Sequence, residues 1–243
     1  MMWLRKKSFR VLCAVLGVVV IPSAIAMVLL YTNPQRTVVQ LARMGIPESV
    51  MVFIAPQNAD VFMALGHQHF GGEGTYDLAL AESYYRRALQ LQPTMPLLHF
   101  NLARIAFLNR RFDEALVLTH REERINPELH RIYYLRGLIY GYDKRFPEAE
   151  EAFQTFVVRD PEPWAGYLDL SWIYFQQGKY QEVHDTIGPV LAKTQNAWLE
   201  NAYGLALLNL GEKAEARLHF LQAQRLSENL TSEAWGVAYG GND

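Results

Sequence analysis

The sequence contains a single cysteine, Cys13, among its 243 residues. An intrachain disulfide, a zinc cluster and a Cys-x-x-Cys redox site are therefore excluded. The histidines also lack the spacing of metal ligands, because His67 and His69, two residues apart on a helix, point away from each other. The glycine-rich stretch at 71–74 lacks the lysine and the hydroxyl that hold phosphates. We predict no bound metal and no cofactor.

Catalytic motifs are missing as well. The chain has no G-x-S-x-G sequence, no H-E-x-x-H sequence and no paired Cys/His nucleophile signature, so we predict that it is not an enzyme.

An excess of positive charge is also lacking. The net charge is −2, and the basic residues within 1–10 leave about −6 on the rest of the chain. Nucleic acid is therefore not an expected partner, because its binding relies on Lys and Arg that neutralise phosphates.

Apolar residues make up 50% of the chain, and an uncharged run extends from Val11 to Tyr31. A helix of that length crosses the hydrocarbon core of a bilayer. We predict a transmembrane signal-anchor helix over 11–31, preceded by a cytoplasmic basic flank at 1–10. The positive-inside rule then places the following residues on the extracytoplasmic, periplasmic side of a single-pass membrane protein. The alternative is a secretory signal cleaved near Ala26, which would release a periplasmic protein.

Residues 32–56 are predicted to connect this helix to the rest of the chain. Within them, residues 36–44 favour a short amphipathic helix that ends before Gly45 and Pro47. The apolar stretch Val50–Ala55 follows and needs cover from other apolar surface.

Beyond the connector, three columns of residues recur at steps of 34 or 33 residues, which is the signature of a repeat architecture. The first column holds small or branched apolar residues, the second prolines and the third small residues. In that order the columns are Ala81, Ala115, Ala149, Val183 and Ala216; Pro93, Pro127 and Pro161; and Ala103, Gly137, Ser171 and Gly204.

These columns predict repeated helix–turn–helix units. The small residues let two helices approach closely, and the bulky residues four positions after the alanines (Tyr85, Phe153 and Phe220) fill the remaining space. The prolines end the second helix of a unit. Because one pair of helices cannot bury its own apolar face, neighbouring pairs are expected to stack.

In the order and spacing of these residues the chain resembles the tetratricopeptide repeat family, specifically a membrane-anchored bacterial type. The resemblance implies an all-α, right-handed superhelix of about five repeats, preceded by the transmembrane helix. The repeat domain is expected at 57–230, with a C-terminal cap and tail at 231–243.

In that family the first helices of the repeats line a concave groove that binds peptides. Carried onto this sequence, the resemblance implies a groove of aromatic, apolar and a few polar or basic side chains. The expected groove residues are Met63, His67, Phe70, Phe100, Asn101, Arg104, Phe107, Arg131, Tyr134, Leu138, Leu168, Trp172, Phe175, Trp198 and Asn201.

The predicted function is a membrane-anchored scaffold that binds peptide or helical segments of envelope or membrane-complex proteins. Two alternatives remain open: a periplasmic chaperone-like assembly factor, and a permanent structural subunit of a membrane complex. The groove also has two possible kinds of occupant. It can take an external protein or peptide, or it can be filled from within, by Val50–Ala55, by Leu230 and Trp235, or by a second copy of the chain.

Overall fold

A computed structural model describes residues 21–71, 76–162 and 164–226. Within these ranges the regular structure is entirely helical, as the repeat pattern predicts, and comprises thirteen helices. They are α1 (Ile21–Thr32), α2 (Pro34–Arg43), α3 (Glu48–Ile54), α4 (Ala59–Gly71), α5 (Leu78–Leu91), α6 (Leu98–Leu108), α7 (Phe112–Ile125), α8 (Arg131–Tyr142), α9 (Phe146–Arg159), α10 (Trp164–Gln176), α11 (Tyr180–Leu191), α12 (Ala197–Leu210) and α13 (Lys213–Leu226).

The close approach that the small-residue column predicts is present inside the helix pairs. A Cβ atom added to Gly137 on α8 would lie 2.7 Å from the ring of Phe153 on α9. At Gly204 on α12 the same atom would lie 2.8 Å from the ring of Phe220 on α13. Both rings are buried, so glycine makes room for the aromatic side chain that fills each pair.

The chain divides into two compact units. Among the described residues, those up to 109 and those at 124–126 form unit 1, and those at 110–123 and from 127 onward form unit 2.

In unit 1, helices α1, α2 and α3 pack against α4. Leu30, Val38 and Met51 from the three N-terminal helices are fully buried in one apolar cluster with Val61 and Leu65 of α4. The connector therefore folds as helices on the first repeat pair. Of the apolar stretch 50–55, Met51 and Ala55 are buried there, whereas Phe53 is 84% exposed.

In unit 2, helices α8 to α13 are successive neighbours around a continuous apolar core. Short turns join the helices of each pair, and one residue in each turn has a left-handed backbone. These residues are Lys144 (φ 61°), Gly178 (φ 70°) and Gly211 (φ 90°). Their steps of 34 and 33 residues follow the sequence repeat, so the turn geometry repeats together with the core.

The predicted transmembrane helix is wrong. No helix within the described residues has both the length and the apolar character to cross a membrane. Of the predicted span, the structure describes the part from Ile21 onward, which lies in α1. Its Leu30 is buried against the protein itself.

The expected single-pass localisation, with extracytoplasmic repeats, is contradicted by the same finding. Residues 1–10, the predicted flank, and residues 11–20, the first ten of the 21 residues of the predicted span, lie outside the described residues. The alternative cleavage position near Ala26 falls inside α1. The predicted cap at 231–243, with Leu230 and Trp235, also lies outside the described residues.

Candidate functional site

The predicted groove residues are divided between the two units. Helices α4 and α6 carry those of unit 1, whereas α8, α10 and α12 carry those of unit 2.

In unit 1 a chain of polar contacts joins three predicted groove residues. His67 Nε2 lies 3.2 Å from Asn101 Nδ2, and Arg104 Nη1 donates to Asn101 Oδ1 at 3.4 Å. The other ring nitrogen of His67, Nδ1, lies 3.4 Å from Gln35 Oε1 on α2. A neutral imidazole with its proton on Nδ1 satisfies both contacts, because it donates to Gln35 and accepts from Asn101.

The electrostatics of this chain agree with a neutral His67. Burial lowers the pKa of His67 below its ordinary value, and the Arg104 guanidinium lowers it further. Arg104 in turn lies over the ring of Phe70, with its Cζ 4.1 Å from the ring centroid. Asn101 is only 5% exposed and Phe100 only 6%. Arg104 Cζ also lies 6.0 Å from the centroid of the Phe100 ring. His67, Phe70, Phe100, Asn101 and Arg104 are therefore linked by contacts, and Met63 and Phe107 are half-buried.

In unit 2 the predicted residues line two cavities. The first, which we call the Phe146 cavity, has a volume of about 500 Å³ and lies among α8, α9 and α10. It is lined by Gly137, Leu138, Gly141, Tyr142, Lys144, Phe146, Phe153, Asp169, Trp172 and Gln176.

The second, which we call the Trp198 cavity, has a volume of about 350 Å³ and lies between α10 and α12. It is lined by Leu168, Asp169, Trp172, Phe175, Trp198, Asn201, Ala202 and Leu205. Asp169 and Trp172 line both cavities. The two cavities are therefore adjacent, on either side of these two α10 residues.

Two large indoles remain accessible at these cavities. Trp172 is 45% exposed and Trp198 is 56% exposed. Trp172 stands edge-on to Phe146, with ring centroids 6.2 Å apart. A Cβ atom on Gly141 would lie 3.3 Å from the Trp172 ring, so the glycine leaves the room in which this indole lies. We call Trp172, Phe175 and Trp198 the aromatic patch.

A hydrogen bond fixes the carboxylate beside the aromatic patch. Tyr134 Oη on α8 donates to Asp169 Oδ2 on α10 at 2.6 Å. The Tyr134 ring packs against Phe153 and Phe156, with centroids 5.7 and 5.1 Å away. Burial raises the pKa of Tyr134, and the adjacent Asp169 raises it further. Burial also raises the pKa of Asp169, an effect that the Tyr134 hydrogen bond opposes.

Two further predicted residues of unit 2 differ in their surroundings. Arg131, at the start of α8, is exposed, whereas Asn201 on α12 is half-buried. The Oδ1 atom of Asn201 is buried and has no hydrogen-bond partner in the described parts of the chain.

The sequence interpretation missed Asp169, Phe146 and Gly141. Asp169 had a usable signal, since it is the only charged residue in the otherwise apolar and polar helix α10. Phe146 starts α9, a second helix of its pair, and the family's groove positions lie on first helices. Gly141 is important because it leaves space for the Trp172 ring. The spacing of residues in the sequence does not reveal this contact.

A third cavity of unit 2, the Trp164 cavity, has a volume of about 830 Å³ among α9, α10 and α11. Its lining includes Val157, Trp164, Tyr167, Tyr174 and Pro189, none of which was predicted as a groove residue. In the three described ranges, no group of three or more His, Cys, Asp or Glu side chains is placed to hold a metal ion.

Comparison with known proteins identifies the repeat. The family model of the tetratricopeptide repeat matches residues 76–127 and 134–182. Over these residues the chain is similar to tetratricopeptide repeats. No curated protein sequence matches the chain.

Several solved structures resemble the fold of this chain at low sequence identity. Pseudomonas aeruginosa PilF is 17% identical, covers 90% of this chain and 97% of its own, and has a TM-score of 0.67. MamA is 17% identical, the match covers 72% of this chain and 97% of MamA, and the TM-score is 0.60. YrrB, described as a TPR protein with an unusual peptide-binding site, is 12% identical. The match covers 75% of this chain and 93% of YrrB, with a TM-score of 0.59. At these identities the likeness establishes a fold and not a shared activity.

Proposed function

We propose that this protein is an interaction scaffold whose unit 2 binds a segment of another protein at the aromatic patch. The observation that carries the proposal is the exposure of Trp172 and Trp198 beside two largely apolar cavities. Exposed apolar patches of this kind mark interaction sites. Tryptophan is also enriched among the few residues that supply most of the binding energy of an interface.

The shape of the surface favours a short segment as the ligand. Two neighbouring cavities that share Trp172 suit an amphipathic helix or an extended peptide that places successive apolar side chains in them. The peptide-binding site ascribed to YrrB, which has the same fold, supports this mode by analogy only. The proposed role is to hold partner proteins, without chemistry of its own.

Unit 1 is a weaker candidate for the same role. Its predicted groove residues contact one another, and Gln35 on α2 already reaches His67. Helix α2 of the chain itself therefore already contacts one of these positions. Only the aromatic patch of unit 2 is proposed as the binding surface.

The test compares two tryptophans of one helix. Trp172→Ala removes the central indole of the aromatic patch. Trp164→Ala is the matched control, because Trp164 also lies on α10, is 39% exposed and lines a different cavity. Tagged full-length proteins are used to capture partners, which are identified and quantified by mass spectrometry, and each variant's thermal unfolding is recorded.

We expect Trp172→Ala to reduce the recovery of specific partners by about tenfold or more, while Trp164→Ala retains them. Equal recovery by the two variants would contradict the proposal. One stoichiometric partner would favour a permanent subunit, a few partners a scaffold, and a broad range of unfolded clients the chaperone-like alternative.

A further inference from the structure

The Trp198 cavity contains one charged side chain in an apolar setting. Asp169 is the only ionisable residue among those that line it, and Asn201 is the only other residue with a polar side chain apart from the indole N–H groups. Lys144 lines the adjoining Phe146 cavity but not this one. A ligand that enters the Trp198 cavity therefore meets a single negative charge and no positive charge.

Both polar side chains have acceptor capacity that the described residues do not use. Asp169 Oδ2 accepts the Tyr134 hydroxyl, and a carboxylate can accept further hydrogen bonds at both of its oxygens. No ion pair to Asp169 is present within the described ranges. Asn201 Oδ1 is buried without a partner, and an unmatched buried acceptor costs free energy until a donor reaches it.

The half-buried position of Asp169 makes a cation the matching partner. Desolvation disfavours its charged form, as the raised pKa of Asp169 indicates. A positive group that enters the cavity compensates this loss of hydration, and the neighbouring indoles of Trp172 and Trp198 offer faces that attract cations. The net charge of about −6 on residues 11–243 acts in the same direction at long range.

From this juxtaposition we propose that the segment bound at the aromatic patch presents a basic side chain, arginine or lysine, to Asp169 and Asn201, with apolar side chains on either side. The inference rests on the proposed function of the patch. Arginine fits best, because its guanidinium carries several donors in one plane and also stacks on indoles. The apolar neighbours occupy the rest of the two cavities.

The test uses defined peptide pools and the full-length protein. Each fluorescein-labelled nonapeptide pool carries an equal mixture of Leu, Ile, Val, Met and Phe at the two positions on either side of the centre, and Ser elsewhere. The pools differ only in the central residue, which is arginine, lysine, citrulline or glutamate. Citrulline matches arginine in shape but has no charge. Binding is measured by fluorescence polarisation.

We expect the arginine pool to bind about tenfold tighter than the citrulline pool, and the glutamate pool to bind weakest. Asp169→Asn should remove the preference for the arginine pool over the citrulline pool. Asp185→Asn is the matched control, since it removes the same charge from the exposed residue Asp185 of α11, outside this cavity. It should keep the preference.

The outcomes separate this inference from the proposed function. Equal binding of the arginine and citrulline pools, with both lost in Trp172→Ala, overturns the basic-ligand inference and leaves the patch as a binding surface. The basic-ligand inference is also overturned if Asp185→Asn and Asp169→Asn both remove the preference for arginine. Net charge alone would then explain that preference. No binding of any pool contradicts both. The comparison of pools on the unaltered protein decides the matter even if Asp169→Asn does not fold.

Discussion

His67 in unit 1 and Trp172 in unit 2 occupy the same position of the repeat, yet their surroundings differ. His67 is hydrogen-bonded to Asn101 and lies against Gln35 of the N-terminal helices. Trp172 is 45% exposed between two cavities. One repeat position can therefore serve internal packing at one place and present a surface at another. What differs is whether another part of the chain lies against it.

The largest effect that we expect contrasts the core of unit 2 with its surface. Phe153→Ala removes a fully buried ring that fills the space beside Gly137, and should lower the free energy of unfolding by about 3–5 kcal/mol. Trp172→Ala removes a larger but half-exposed ring and should cost about 1 kcal/mol or less in stability. Urea unfolding of the two variants checks this. A similar loss for both would mean that Trp172 belongs to the core.

A second prediction tests whether polar contacts hold the N-terminal helices on unit 1. Glu48 on α3 accepts from His69 at 2.5 Å and from the Tyr84 hydroxyl at 2.6 Å. Glu48→Ala leaves both partners without their acceptor and should cost about 1–3 kcal/mol. Amide hydrogen exchange should then increase in α1 to α3.

The control for this prediction is Glu148→Ala, which removes an exposed ion pair with Arg145 in unit 2. Its cost should be much smaller than that of Glu48→Ala, because solvent screens an exposed ion pair. Unchanged exchange in α1 to α3 of the Glu48 variant would show that apolar packing alone holds these helices.

A third prediction sharpens the role of Gly141 beside the aromatic patch. The added methyl group of Gly141→Ala would lie 3.3 Å from the Trp172 ring and 3.1 Å from Ile173 Cδ1, so the indole must shift. Alanine also stabilises a helix by about 1 kcal/mol relative to glycine. We therefore expect a net stability change within about 1 kcal/mol and weaker binding of the arginine peptide pool. Unchanged binding would show that the position of Trp172 is not critical.

The smallest expected effect is a pH dependence specific to unit 1. Because the pKa of His67 is lowered in the folded state, the unfolded chain takes up a proton at a higher pH than the folded chain. The stability associated with neutral His67 is complete above about pH 6.5, the ordinary value, and declines as the pH falls towards the lowered pKa.

Urea unfolding at pH 7.5 and 5.5 tests this dependence. His67→Gln should lose less stability between the two pH values than the unaltered protein does, because Gln does not titrate. The remaining histidines are common to both proteins and cancel in the comparison. An identical loss would place the pH dependence elsewhere.

Much of the fold was predictable because the repeat columns report local packing. Gly137 and Phe153, or Gly204 and Phe220, meet within one helix pair, so their spacing in the sequence records their contact directly. The helix predicted at 36–44 is present as α2 for a similar reason, because Gly45 (φ 75°) follows its end. The groove residues are placed by the same periodicity, and their role stays a prediction.

The transmembrane prediction failed because hydropathy measures only the preference of a segment to leave water. Leu30 satisfies that preference against Val38 and Met51 of the same protein rather than in lipid. Apolar composition does not distinguish these two environments.

By itself, the sequence determined the helical repeats and the residues at which the two helices of a pair contact each other. These properties depend on residues near one another along the chain. Only the tertiary structure decided which repeat positions are covered. Gln35 reaches His67 across 32 residues, and Tyr134 reaches Asp169 across 35. Such contacts join separate helices, so they, and the surface they leave exposed around Trp172, depend on how the helices pack in three dimensions.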